Sequence, residues 1–394
     1  MDKKDIIKNI LKRGVAEIIE EKVLKKKLNA GKKLRVKLGI DPTGYDLHIG
    51  HAAPLLKLKA FQELGHQVVL IIGDYTARIG DPSGLDKTRQ PLSDKQVEKN
   101  AKDYVKQASI ILDKKKTEIR WQSEWFEEFD LQTVIDLTSK ATLAQILSHE
   151  TFKKRLEKGQ PLSTHEILYP FLQGYDSVAV KADLELGAIE QKFNLLMGRT
   201  IQGSLDQPVQ DILTLNYLMG TDGRKMSKTF NNYIALRDEP GDMFGKVMSI
   251  PDKLIIDYFT LATRISLSEV EEIKKALEAG DNPRNYKARL AREIVSLYHS
   301  EEKAKAAEKE FEKVFKNKEC PSDIPIFSPT KNKLPIIDLL VESDLATSKS
   351  EARRLIEQGG VSMNDKKIKD PKKEINFKKN DIIKVGKRKF LKIK

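Results

Sequence analysis

The chain has 394 residues, enough for two or three domains of roughly 100–200 residues each. Its 71 Lys and Arg against 58 Asp and Glu give a net charge of +13. Hydrophobic residues at 39% and charged residues at 33% exclude a fibrous or disordered chain. The longest apolar run, Val68–Ile72, falls far short of the about 18 residues a membrane span needs. Met1-Asp-Lys-Lys opens no apolar signal core, so export is not expected and a cytoplasmic location is. The single cysteine, Cys320, excludes a disulfide framework and a multi-cysteine metal site.

In chain order, residues 1–33 read as an N-terminal helix, with Ile6, Ile7, Ile10, Leu11, Val15, Ile18 and Ile19 at helical spacing and Gly31 as a stop. Arg35–Ile40 alternates as a strand, and a helix is expected from near Gly50 after the turn Asp41-Pro-Thr-Gly44. Gln67–Gly73 and Thr117–Trp121 read as strands separated by a long helix capped by Ser93. Strand-like Ala182–Leu186, a helix over Gln191–Met197 and strand-like Val209–Leu213 follow. Strands alternating with helices predict an α/β fold with a doubly wound, Rossmann-like parallel sheet over residues 1–234. From 235 to 320 apolar residues return only at helical spacing, which predicts an α-helical domain. Pro321, Pro325 and Pro329 mark 321–333 as a linker.

The last segment, 334–394, holds 16 Lys and Arg against 9 Asp and Glu. More than half of the charge surplus therefore sits in this small basic α+β domain, with helices near 335–342 and 349–358. That concentration points to a polyanionic partner, since neutralised phosphates release counterions.

Two segments carry chemistry. Gly39-Ile-Asp41-Pro-Thr43-Gly-Tyr-Asp-Leu-His48-Ile-Gly50-His51 runs from a strand end into a helix start. That crevice is where open α/β sheets bind ligands, and a helix N-terminus suits phosphate. Alone, its two histidines could be structural caps or surface residues. Gly220-Thr-Asp-Gly-Arg-Lys225-Met-Ser-Lys228-Thr229 is a polar loop after a strand. Its lysines, three apart, can meet one polyphosphate and the charge that grows on a leaving group. Alone, a lysine-rich loop is more often a solvated surface. Their order and separation within one α/β unit make the pair specific.

Together the two segments resemble the HIGH and KMSKS signatures of class I aminoacyl-tRNA synthetases. Tyr169-Pro-Phe-Leu-Gln173-Gly-Tyr-Asp176, Gly80-Asp81-Pro-Ser-Gly and Gln191-Lys-Phe-Asn194-Leu-Leu-Met-Gly-Arg199 narrow the resemblance to bacterial tyrosyl-tRNA synthetases with an N-terminal helix. The likeness spans essentially the whole chain. It implies ATP-dependent attachment of L-tyrosine to tRNA(Tyr) through tyrosyl-adenylate, with Mg²⁺ arriving with ATP and no fixed metal.

The resemblance also implies roles. His48, His51, Lys225 and Lys228 would be catalytic. Gly39, Asp41, Thr43 and Gly50 would join them in holding ATP. Asp81, Thr76, Tyr169, Gln173, Asp176 and Gln191 would bind tyrosine, with Tyr169, Gln173 and Asp81 on the ammonium and Asp176 on the phenol. The helical domain would hold the anticodon stem. The tail resembles a small ribosomal RNA-binding domain, with Lys349, Arg353 and Arg354 meeting phosphate. A homodimer with contacts in Phe126–Leu147 is expected. Departures are Lys37 where some members place a phenol-contacting tyrosine, Glu190 for the usual Asp, Gln122 for the usual Asn, and Thr229 at the end of the second signature. Two rival readings stay open: the same scaffold serving tryptophan, and a non-catalytic RNA-binding paralogue.

Overall fold

Five strands run parallel in one sheet: β2 (Arg35–Ile40), β3 (Gln67–Ile72), β4 (Thr117–Trp121), β5 (Leu184–Ala188) and β6 (Asp211–Leu215). A sixth, β1 (Val15–Ile19), closes the edge antiparallel to β6 and gives the order β1-β6-β5-β2-β3-β4. The computed structural model describes residues 3–44, 46–83, 92–227, 230–315, 325–329, 333–364, 366–386 and 389–394. Strands β2 and β3 are covered on both faces, so Val36, Leu38 and all of Val68–Ile72 are buried. Burial on both faces is why β3 reads as a continuous apolar run rather than an alternation. Strand order reverses at β2, whose neighbours are β3 and β5. Ligands of open α/β sheets bind beyond the strand C-termini at such a switch point.

The N-terminal expectation needs correction. Residues 1–33 are not one helix: a helix over Lys3–Lys12, strand β1 and a helix over Glu21–Asn29 replace it. Gly14 breaks the helix at φ +62°, and a Cβ there would lie 2.3 Å from Leu261. Val15 and Ile19, four apart, fit either period, and pairing with β6 decided for the strand. The buried Lys57 ammonium caps the first helix by donating to the carbonyls of Asn9, Ile10 and Arg13 at 2.7–2.9 Å. Strands β5 and β6 lie two residues later than expected, while Thr117–Trp121 lies where it was expected.

The chain forms two compact units, residues 1–305 and 306–394. Past residue 235 the first unit adds helices over Pro240–Met248, Ile255–Ala262, Leu267–Glu278 and Pro283–Tyr298. Ser266 and Glu269 form a reciprocal capping box at the start of the third of these. The second unit packs helices Ile336–Glu342 and Lys349–Glu357 on a five-stranded sheet. Its own core includes Ile336, Leu339, Leu340, Ala352, Ile356, Val361 and Ile383.

The site-bearing helix Thr164–Ala179 is anchored at its start by a buried ion pair. Arg155 meets Glu166 bidentately at 2.7 and 3.1 Å, and Glu166 also accepts the Ser163 N–H at 2.9 Å. Arg155→Met would strand a buried carboxylate, and breaking a buried pair in this way costs about 3–5 kcal/mol. A lowered urea midpoint with an unchanged slope is the expected result.

Candidate active site

The expected site residues converge from distant segments at the C-terminal ends of β2 to β5. Gly39, next to last in β2, has open space above it and Asp41 follows the strand; Gly73 and Thr76 follow β3; Gln122 follows β4; Glu190 and Gln191 follow β5. Thr43 sits in the turn after β2, its N–H bonded to the Asp41 carbonyl at 2.8 Å. Tyr169, Gln173 and Asp176 come from the helix Thr164–Ala179.

A chain of hydrogen bonds crosses this floor. Tyr169 donates its hydroxyl to Asp41 Oδ2 at 2.9 Å, and Thr76 Oγ1 lies 2.6 Å from Asp41 Oδ1. The Gln122 Oε1 accepts from the Thr76 backbone N–H at 2.9 Å. The Gln122 amide then donates to both carboxylate oxygens of Asp176, at 2.9 and 3.1 Å. Gln122, a departure from the usual residue, is therefore the link between the two ends. At one side, Gln191 donates to Asp81 Oδ2 at 2.6 Å and accepts from Asn194 at 3.1 Å. The Gln173 Oε1 is buried with no hydrogen-bond partner, so it offers an acceptor to a ligand.

Electrostatics follow from burial. Asp176 is buried, and loss of water pushes its carboxyl up to about 8, against the pull of Lys37 and the Gln122 amide. The Tyr169 hydroxyl is raised well above its usual range, first by burial and then by Asp41. Because Tyr169 spends its one hydrogen on Asp41, its oxygen presents only lone pairs to a cation.

The two signature segments meet. Residues 47–49 pair backbone to backbone with 234–236: the Ile49 N–H bonds the Ile234 carbonyl at 3.0 Å, and the Leu236 N–H bonds the Leu47 carbonyl at 2.9 Å. A Cβ on Gly50 would lie 2.9 Å from the His48 ring and 3.5 Å from Met226 Sδ. His48 is the N-cap of helix Ile49–Glu63, and its N–H is accepted by His51 Nδ1 at 3.3 Å. The rings lie 3.8 Å apart. With Nδ1 accepting, a neutral His51 carries its proton on Nε2.

Lys225 lies 2.7 and 2.8 Å from the two oxygens of Glu190. Lys228 and Thr229, with Cys320, lie outside the described residues. Asn232, which sequence reasoning missed, organises the loop. It accepts from the Ser227 N–H at 2.8 Å and donates to Asp222 at 2.7 Å and to the Lys225 carbonyl at 3.1 Å. That amide holds the Asp222 carboxyl down at about 2. No spacing signal marks Asn232, because its partners, backbone groups and the Asp222 carboxylate, meet it only in the folded loop. In the second unit, Arg353 and Arg354 are exposed, while Lys349 pairs with Asp338 at 2.8 Å. Among the described residues, no group of three or more His, Cys, Asp or Glu is placed to hold a metal ion.

Two signature segments joined at the switch point of a parallel sheet define a class I aminoacyl-tRNA synthetase fold. Residues 29–316 match the family described as tRNA synthetases class I (W and Y), and residues 316–393 match the tyrosine–tRNA ligase SYY-like C-terminal domain. A tyrosine–tRNA ligase of Dehalococcoides mccartyi is 51% identical over 98% of both chains. That of Thermotoga maritima is 49% identical over 98% of this chain and 96% of its own. The chain belongs to the tyrosyl-tRNA synthetase family.

Shape alone does not separate the two amino acids. A C-terminally truncated mitochondrial tyrosyl-tRNA synthetase of Aspergillus nidulans superimposes with a TM-score of 0.66 at 21% identity, covering 79% of this chain and 94% of that one. A Plasmodium falciparum tryptophanyl-tRNA synthetase reaches 0.59 at 17% identity, covering 78% and 89%. The C-terminal domain and the full-length relatives carry the distinction.

Proposed function

We propose that this protein activates L-tyrosine with ATP and transfers it to tRNA(Tyr). The observation that carries the reading is the hydrogen-bonded chain Tyr169–Asp41–Thr76–Gln122–Asp176, flanked by His48, His51 and Lys225. The tyrosine carboxylate attacks the α-phosphate of ATP, forming tyrosyl-adenylate and releasing pyrophosphate. A terminal ribose hydroxyl of the tRNA then attacks the activated carbonyl, releasing AMP. No protein nucleophile is required, so rate comes from positioning and from charge placed where charge develops.

The substrate ammonium is assigned to the lone pairs of Tyr169, Gln173 and Asp81, the last oriented by Gln191. The phenolic hydrogen is assigned to Asp176. His48 and His51 hold ATP phosphate oxygens at the helix N-terminus, and Gly39, Asp41, Thr43 and Gly50 line the nucleotide's approach. Lys225 exchanges Glu190 for pyrophosphate; the pair is half-exposed, and such pairs are worth about 0–1 kcal/mol. Lys228 is assigned to the same phosphates. Mg²⁺ enters with ATP, since it prefers phosphate oxygens and water.

Arg353 and Arg354 meet tRNA backbone phosphates, which compete with Asp338 for Lys349. A second copy of the chain covers the exposed Leu131, Ile135 and Leu143, giving a homodimer. A cytoplasmic location is part of the same reading. No described helix is long and apolar enough to cross a membrane.

Amino-acid-dependent exchange of labelled pyrophosphate into ATP tests the reading. Exchange with tyrosine supports it; exchange with tryptophan alone, or with neither, overturns it. A chain ending at residue 316 should keep tyrosine-dependent exchange and lose at least tenfold in the rate of tRNA charging at physiological salt. Equal loss of both steps would make the basic tail structural.

A further inference from the structure

The Lys37–Glu185 pair has no part in the reading above. Lys37 on β2 and Glu185 on β5 are register neighbours across the switch point, and their side chains are 0% and 1% exposed. Lys37 Nζ lies 2.9 Å from Glu185 Oε1, 2.7 Å from the Ser177 hydroxyl and 3.1 Å from the Gln173 carbonyl. Three acceptors use all three hydrogens of the ammonium. Glu185 Oε2 accepts in turn from Ser177 at 3.1 Å and from Gln210 at 2.5 Å.

A satisfied buried pair is weak as a source of stability, because apolar residues of similar volume often do as well. Its place is more informative. The two groups that Lys37 grips on the helix Thr164–Ala179 are the carbonyl of Gln173 and the hydroxyl of Ser177, and these bracket Asp176. With every hydrogen spent, Lys37 cannot replace the phenol contact that a tyrosine would make at this position.

We propose that Lys37, held by Glu185, is a positioning residue for amino-acid selection. It fixes the turn Gln173–Ser177 so that Gln173 and Asp176 face the substrate, and it sets a buried positive charge beside the Asp176 carboxylate. The proposal rests on the tyrosine reading above. The ionisable groups acting on Asp176 are Lys37 on β2, which favours the carboxylate, and Glu185 on β5 and Asp41 beyond β2, which oppose it. Tyr169, on the same helix, also feels its charge.

The test measures the KM for tyrosine against pH by pyrophosphate exchange in the full-length chain. The variants are Lys37→Met, Glu185→Gln and the double variant, which strands no buried charge. The KM for tyrosine should rise about tenfold or more in the double variant, with the KM for ATP unchanged, the loss expected when a charge-assisted hydrogen bond is misaligned. Among the single variants, the pH midpoint of the tyrosine KM should move up in Lys37→Met and down in Glu185→Gln. A merely structural pair would move both alike. Midpoints that move the same way or not at all, or a double variant with the wild-type KM for tyrosine, overturn the proposal. Should a single variant fail to fold, the double variant decides. Wild-type protein without tyrosine-dependent exchange would instead overturn the functional reading.

Discussion

Asp176→Asn is expected to weaken tyrosine activation and to stabilise the fold at alkaline pH. The activation effect follows from the Gln122 amide, which already donates to both oxygens of Asp176. An asparagine must turn its own oxygen toward Gln122 and present an N–H₂ to the substrate. Above pH 8, where Asp176 is ionised, the phenolic hydrogen then loses a charged acceptor, a hydrogen bond worth about 1.5–3 kcal/mol. The KM for tyrosine should rise roughly 10- to 150-fold, read by pyrophosphate exchange.

The stability effect has the opposite sign. Burial raises the Asp176 carboxyl from 3.8 to about 8. A carboxyl with a raised folded pKa contributes stability that is full below its unfolded value and is lost as pH climbs through the folded one. Asparagine cannot ionise and escapes that loss. The melting temperature of Asp176→Asn relative to wild type should therefore grow from pH 4 to pH 8 and then level off. A flat difference would mean that Asp176 titrates near its ordinary value. A site that costs stability in its working ionisation state is a known trade between activity and stability.

Gly73→Ala should be as severe through sterics alone. An alanine Cβ there would lie 2.1 Å from Asp41 Oδ1 and 2.4 Å from Thr76 Oγ1. Those two atoms share the 2.6 Å hydrogen bond at the centre of the site. Asp41 has little room to yield, because its other oxygen is held by Tyr169. Displacement of about 1 Å in such a constellation costs on the order of 100-fold. Tyrosine-dependent kcat/KM should fall by that factor while circular dichroism stays native. Wild-type kinetics would show that Asp41 and Thr76 take no part in aligning the substrate.

Tyr169, Gln173 and Asp176 were legible as neighbours because spacings of four and three put them on one helical face; the roles proposed for them came from the family motif. The histidine pair was legible as a helix start, and capping was one of the readings open to it. Strand β1 was misread as helix because Val15, Ile18 and Ile19 match helical spacing and Val15 and Ile19 also match alternation, and the deciding partner, β6, lies some 200 residues away. Lys37, Gln122 and Glu190 were visible only as departures. Each gained meaning from one partner: Glu185, Asp176 and Lys225 respectively.

Local chemistry, carried by side-chain type and by periods of two and 3.6, reached as far as the alternating architecture, the basic tail and the residues able to meet phosphate, ammonium and phenol. Pairings between distant segments were settled only in three dimensions. Asn232 as the hub of the lysine loop, the backbone pairing of 47–49 with 234–236, and the buried Lys37–Glu185 pair leave no mark in either segment alone. Hydrogen bonds and buried charges depend on distances of a few ångströms, and strand order, not residue order, sets those distances.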